Sequence, residues 1–116
     1  MSDTLHREAV PGAGLRILVR RFDGGVTVEL HGELDITTAA ALDTQMRALC
    51  FQYDADQVTI DLTRLDFIDL HGTTTLKRAA RMSGHNGRLT LRGTPPMLDV
   101  LLQVAGCTDV FILARP

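Results

Sequence analysis

The stretch QVTIDLTRLDFIDLHGTTTLKRAARM, residues 57–82, decides the fold, because within it a strand-like pattern gives way to a helix-like one. Residues 57–62 form a short run rich in β-branched side chains, which is typical of a central strand. A helix is predicted to begin near Leu70 and to run to about Met82, where Ser83-Gly84 is a stop signal. A strand that leads into a helix in this way is the building unit of an α/β sheet.

Two strands and a helix are predicted before this stretch. Residues 15–22 and residues 26–31 read as alternating runs and are separated by Asp23-Gly24-Gly25, a turn signature that indicates a hairpin. The period then changes to that of a helix, which Asp35 or Thr37 could cap. Its apolar positions are Ala39, Leu42, Met46 and Leu49.

A further strand, a helix and a last strand are predicted after it. Asn86-Gly87 turns the chain into a strand over residues 88–92, and Thr94-Pro95-Pro96 then opens a helix that Gly106 ends. Residues 110–113 are predicted to be the final strand. The apolar stripe that should face the core from this last helix consists of Met97, Val100, Leu101 and Val104.

The predicted order of elements is ββαβαβαβ, which indicates an α/β fold with an open mixed β-sheet flanked by helices. Its later strands are expected to be parallel and joined by right-handed crossovers. A chain of 116 residues, of which 45% are hydrophobic, suffices for one domain with one core. We assign residues 15–116 to this domain and residues 1–14 to a flexible N-terminal segment.

Composition excludes several classes of function. Lys and Arg number 12 against 14 Asp and Glu, for a net charge of -2, so no overall field attracts nucleic acid or anionic lipid. Direct membrane insertion is not expected, because no apolar run approaches the roughly 20 residues that span a bilayer. Cys50 and Cys107 lack a metal-type spacing and suggest free buried thiols. We therefore expect a cytoplasmic protein without a cofactor.

Two loops that follow strands carry polar residues suited to a functional site. In open α/β sheets the functional edge lies beyond the carboxyl ends of the strands. The loops cover residues 31–35 and residues 66–73. If their strands are neighbours, one rim of the domain would carry Glu33, Asp35, Asp69 and His71.

The chain resembles the STAS domain, the family of the anti-sigma factor antagonists and of the cytoplasmic tails of sulfate transporters. The resemblance covers residues 15–113. It rests on the order and spacing of short motifs, which include GELD at 32–35, Asp61-Leu62, FID at 67–69, Gly72 and PPMLDVLLQVAG at 95–106.

The resemblance implies a protein-binding switch rather than an enzyme. An antagonist of this family binds an anti-sigma factor, typically also a serine kinase, which then frees its sigma factor, and phosphorylation of the antagonist ends that binding. The phosphoacceptor is a Ser or Thr immediately before the motif glycine, in a pattern such as Asp-Ser-Ser-Gly. Here the pattern reads Asp69-Leu70-His71-Gly72, so His71 stands at the phosphoacceptor position.

Three interpretations of this substitution stay open. The domain is a binding module without the switch, or the switch is displaced to Thr73 or Thr74, or His71 brings different chemistry. Thr73 is nearer in sequence to the lost hydroxyl, whereas helical geometry makes Thr74 the more exposed acceptor. Contacts with the anti-sigma factor are expected at Glu33, Asp35, Asp69, Leu70, His71, Gly72, Thr73, Thr74 and Lys77.

Two alternative functions also stay open. A homodimer is a possible oligomeric state for each of them. The chain could be the STAS subunit of a stressosome-like particle or of a transporter ATPase complex, since both use related domains. A third hypothesis, from another class, is a small enzyme or metal-binding protein. It would use His31, His71, Glu33 and Asp35, although the sequence contains no strong metal-binding motif.

Overall fold

A computed structural model describes residues 4–9, 14–22, 24–52, 57–83, 89–106 and 111–114. Within them seven strands and three helices follow one another along the chain. The strands are β1 (Thr4–Ala9), β2 (Leu15–Phe22), β3 (Gly25–Leu34), β4 (Gln57–Asp61), β5 (Leu65–Ile68), β6 (Leu89–Arg92) and β7 (Phe111–Ala114). The helices are α1 (Ala39–Gln52), α2 (Leu70–Ser83) and α3 (Pro96–Ala105).

The predicted fold class is confirmed. The strands form one sheet in the order β1-β2-β3-β4-β6-β7, in which β1, β2 and β3 are antiparallel and the later pairs are parallel. Helix α2 packs between α1 and α3. Alternate residues of β3, namely Val26, Val28 and Leu30, are fully or almost fully buried in the core. The sheet is therefore mixed, with helices packed against it, as the sequence predicts.

Two strands were not among the predicted elements. Strand β1 lies within residues 1–14, which we expected to be a flexible segment, and pairs antiparallel with β2 from Thr4↔Arg21 to Ala9↔Arg16. Its sequence, TLHREA, is largely polar, as edge strands commonly are, and so resembles a loop. Strand β5 has only four residues, LDFI, of which the outer two are buried, so it offers no alternation to recognise.

Strand β3 is long enough to pair with two successive strands. Its first half, from Gly25 to Glu29, pairs with β4, and its end pairs with β5 through Glu33↔Phe67 and Leu34↔Ile68. A register shift occurs at Gly32, where φ is 111° and an added Cβ would lie 2.0 Å from the carbonyl oxygen of Gly14. The glycine is therefore required both by its backbone conformation and by the close passage of the neighbouring chain.

The predicted core stripe of α3 is wrong. Leu98 and Leu102 face the core, whereas Met97, Val100 and Val104 are exposed and Leu101 is half-buried. Only Asp99 and Gln103 interrupt an otherwise apolar helix, so periodicity alone does not identify the buried face. Helix α3 consequently presents a second apolar face to solvent.

A few predictions concern residues outside the described part of the chain. The turn at Asn86-Gly87 and Cys107 lie there, and so does the side chain of Cys50. Among the helices of the described residues, none combines the length and the apolar character needed to cross a membrane.

Candidate functional site

The two polar loops lie at the same edge of the sheet. Because β3 and β5 are parallel neighbours, their carboxyl ends meet there, and the backbone N–H of Asp69 donates to the carbonyl oxygen of Leu34 at 3.3 Å. Asp35 follows β3 and Asp69 follows β5. The structure thus brings together the two loops that the sequence analysis selected as a rim.

Asp69 caps the N-terminus of α2. One carboxylate oxygen, Oδ1, accepts the N–H of Gly72 at 2.9 Å, and the backbone carbonyl accepts the N–H of Thr73 at 3.0 Å. The other oxygen, Oδ2, lies 3.8 Å from Nδ1 of His71. The carboxylate therefore satisfies one N–H group that a helix start would otherwise leave unpaired, and it places negative charge at the positive end of the helix dipole.

Gly72 allows α2 to start directly against the end of β3. A Cβ at this position would lie 2.5 Å from the carbonyl oxygen of Leu34, 2.8 Å from Cγ of Leu34 and 3.0 Å from Cγ1 of Ile68. The nearest of these atoms belongs to the backbone of a central strand and cannot turn aside. The glycine therefore fixes how closely the first turn of α2, with Leu70 and His71, approaches the sheet.

Asp35 organises the turn into α1. Its Oδ1 accepts the backbone N–H of Thr37 at 2.9 Å and the hydroxyl of Thr37 at 2.6 Å. The hydroxyl of Thr38 accepts the N–H of Asp35 at 3.0 Å and donates to the carbonyl of Glu33 at 2.9 Å. Of these contacts, the Thr37 hydroxyl contributes most to lowering the pKa of Asp35 below its ordinary value. Both rim loops thus present an ordered carboxylate.

The three consecutive threonines of α2 have different environments. Thr73 is fully buried, and its hydroxyl donates to the carbonyl of Asp69 at 3.0 Å. Thr74 is exposed, and its hydroxyl donates to the carbonyl of Leu70 at 2.9 Å. Thr75 is buried and accepts a hydrogen bond from Arg78 at 3.2 Å. Of the two candidate acceptors, Thr73 and Thr74, only Thr74 is open to a kinase.

His71 and two apolar residues form an exposed surface at the start of α2. The side chain of His71 is 62% exposed. Leu70 and Phe67 are exposed at 45% and 49%, although residues of this kind are usually buried. Sequence reasoning singled out Leu70 but not Phe67 as a surface residue. Phe67 follows the exposed Asp66 in β5, and since successive side chains of a strand normally point to opposite faces, the sequence gives no local signal that both are exposed.

Other predicted site residues lie beside this surface or away from it. Glu33 is exposed, and its N–H donates to the carbonyl of Gly14 at 3.0 Å, on the side of β2. Lys77 is half-buried on α2. His31 is turned toward Glu29, with Nε2 3.2 Å from Oε1, and not toward His71. Within the described residues, no group of three or more His, Cys, Asp or Glu side chains could hold a metal ion.

The Asp69→Ala variant is expected to lose about 1 kcal/mol of unfolding free energy, because it removes the cap of α2. Asp69→Asn is the matched control, since asparagine caps helices about as well as aspartate, and it should retain most of that stability. Urea unfolding of the three proteins measures the difference. Equal losses in both variants would contradict the capping role.

Comparison with known proteins identifies one matching family model and several solved structures with the same fold. A family model described as "Mlab, STAS domain" matches residues 17–114. Comparison with the curated proteins gives no match.

Several solved structures share the fold. An anti-sigma factor antagonist from Mycobacterium paratuberculosis is 23% identical with a TM-score of 0.76, over 91% of this chain and 90% of that chain. A variant of RsbS from Moorella thermoacetica is 18% identical with a TM-score of 0.71, over 86% of each chain. The Bacillus cell fate determinant SpoIIAA in its phosphorylated form is 20% identical with a TM-score of 0.62, over 96% and 91%. At these identities the likeness concerns the fold.

Proposed function

This chain belongs to the STAS-domain family, and from that membership we propose that it is a regulatory protein-binding module that acts as an anti-sigma factor antagonist. It binds a kinase-type anti-sigma factor and thereby releases a sigma factor. The proteins that share its fold include anti-sigma factor antagonists, which supports this assignment over an enzymatic role.

The observation that carries the proposal is the exposed surface at the start of α2. His71 occupies the position that the family resemblance identifies with the regulatory phosphoacceptor, and it is exposed beside the apolar side chains of Leu70 and Phe67. Partly apolar surfaces of this kind are suited to the desolvated centre of a protein interface. Asp35 and Asp69 stand at the neighbouring strand ends and complete the surface.

We propose further that the phosphorylation switch is absent at its usual position. An imidazole does not accept phosphate in the reaction by which a serine kinase modifies a hydroxyl. Thr73 is no substitute in this conformation, because it is buried and hydrogen-bonded. The chain is therefore permanently competent to bind, unless the exposed Thr74 takes the phosphate.

The test combines the purified chain with a candidate kinase-type anti-sigma factor, with and without ATP. Binding is measured by calorimetry and phosphate incorporation by intact mass in the same samples. We expect binding in both samples and no added phosphate. A phosphate on Thr74 that abolishes binding, absent in Thr74→Ala, would overturn permanent competence and leave the antagonist role intact. Lack of binding in both samples would overturn the antagonist role.

A second candidate function is that of a fixed STAS subunit in a larger assembly, such as a transporter ATPase complex or a stressosome-like particle. The same replacement of the hydroxyl by His71 favours it, because a permanent subunit needs no phosphorylation switch. Purification of the tagged chain from its own cells separates the two. A stoichiometric ATPase or a large particle supports the second candidate, and an anti-sigma factor supports the first.

A further inference from the structure

A groove of about 430 Å³ opens between the end of β5, the start of α2 and the start of α3. Its apolar lining includes Phe67, Leu70, Met97 and Leu101. Phe67, Leu70 and Met97 are each about half exposed, Met97 the most at 60%, while Leu101 is half-buried. Apolar side chains clustered in a concave surface and open to water mark an interaction site.

The apolar surface continues along α3 beyond the groove. Val100 and Val104 are exposed, and with Met97 and Leu101 they form a stripe at helical spacing on one side of that helix. The core uses the other side, through Leu98 and Leu102. An elongated apolar surface that follows a helix axis is complementary to another amphipathic helix.

The charges at the groove select among binding partners. The residues that line the groove also include the acidic residues Asp66 and Asp69. Asp66 is exposed and has no ion-pair partner among the described residues, and Asp69 already uses one oxygen to cap α2. A segment that covers the groove displaces water from these carboxylates, which favours a cation from the incoming side. An arginine can supply it while its guanidinium stacks on the ring of Phe67.

A second copy of this chain fits the groove less well. Pairing the surface with itself would bring Asp66 and Asp69 of both copies to one apolar interface, so that like charges face the same desolvated region. Outside the surface, the large exposed apolar residues of the described part are Ile36, Ile112 and Leu113. A contact between the groove and one of those residues would join unlike surfaces, and it would close into a dimer only if the same contact formed twice, once in each direction. Anionic lipid is disfavoured by the same carboxylates.

We propose that this groove binds an amphipathic helix of a partner protein, through apolar residues three or four positions apart and an Arg or Lys that meets Asp66 and Asp69. The inference rests on the proposed binding function and specifies the kind of segment that is bound. It adds the face of α3 to the surface at the start of α2. Phe67 and Leu70 belong to both surfaces, so a partner can engage them together.

The test is a selection with a display library of random peptides of about 16 residues, which is roughly four helical turns. The full chain is the immobilised target. We expect the enriched peptides to share apolar residues three or four positions apart and a basic residue near one end. Enrichment of acidic peptides, or of peptides without a common pattern, would overturn the proposal.

Variants of exposed residues then locate the binding of a selected, fluorescein-labelled peptide. Phe67→Ser and Met97→Ser are each expected to weaken binding at least about fivefold, as central interface residues do. Asp66→Lys should weaken it and reduce its dependence on salt. Ile112→Ser, which replaces an exposed apolar residue on β7, is the matched control and should leave the affinity unchanged. Circular dichroism verifies that each variant is folded.

Two outcomes of these measurements would overturn the proposal that the groove binds a partner helix. One is unchanged affinity in both Phe67→Ser and Met97→Ser. The other is a native dimer in sedimentation velocity that Met97→Ser converts to a monomer, since a second copy would then occupy the surface. Failure of the antagonist role is distinguishable, because the library contains no anti-sigma factor. If selected peptides pass these tests while every anti-sigma factor fails to bind, the antagonist role is contradicted and the proposal that the groove binds an amphipathic helix still stands.

Discussion

The His71→Ser variant is expected to gain one phosphate per chain from ATP and a kinase-type anti-sigma factor that binds the native chain without modifying it. The substituted side chain would be exposed in the first turn of α2, where backbone N–H groups and the helix dipole stabilise a phosphate. The phosphate would also stand beside the carboxylate of Asp69, whose Oδ2 lies 3.8 Å from Nδ1 of His71. We expect this added charge to lower the affinity for the partner at least about tenfold, which corresponds to about 1.4 kcal/mol of binding free energy.

Two control variants separate the hydroxyl from other effects of the substitution. His71→Ala removes the imidazole without adding a hydroxyl, so it should bind the partner and take no phosphate. The double variant His71→Ser with Thr74→Ala should still take one phosphate, which excludes modification of the exposed threonine. Intact mass and calorimetry report both quantities. A serine variant that binds the kinase and stays unmodified would contradict the assignment of position 71.

The start of α2 could be predicted from the sequence because its signals are local. An aspartate before a helical pattern is a cap signal, and Asp69 caps the helix in the structure. Helical geometry predicted that Thr74 is more exposed than Thr73, and in the structure Thr74 is exposed and Thr73 is fully buried. The shared edge of the two loops was predicted only on the condition that their strands are neighbours, and the strand that meets this condition, β5, was not among the predicted elements.

The groove and two strands could not be predicted because they depend on tertiary contacts. Strand β5 is defined by its pairing with the end of β3, and β1 by its pairing with β2, while neither has a distinctive pattern of its own. The buried face of α3 is decided by its packing, since both sides of the helix are apolar. The stripe predicted for the core is the exposed surface beside the groove. An apolar pattern identifies a face that can be buried, but not what buries it.

Replacing Gly72 with valine is expected to lower the unfolding free energy by about 3 kcal/mol, at the upper end of typical overpacking costs. The first carbon of the new side chain would lie 2.5 Å from the carbonyl oxygen of Leu34, so α2 or the end of β3 must move. The melting temperature should fall by roughly 12 °C, at about 4 °C per kcal/mol for a domain of this size. Differential scanning calorimetry measures both quantities.

Thr74→Val is the matched control, because it places the same side chain two residues further along α2 at an exposed position. Its effect should stay within about 0.5 kcal/mol, as is usual for surface substitutions. Gly72→Ala should fall between the control and Gly72→Val, since it adds the clashing carbon but not the branch. Because the clash would push Leu70 and His71 away from the sheet, Gly72→Val should also weaken partner binding at temperatures where it is folded. If the melting temperature of Gly72→Val lies within about 2 °C of the native value, α2 does not start in close contact with Leu34. The inference that this close packing positions His71 would then be contradicted as well.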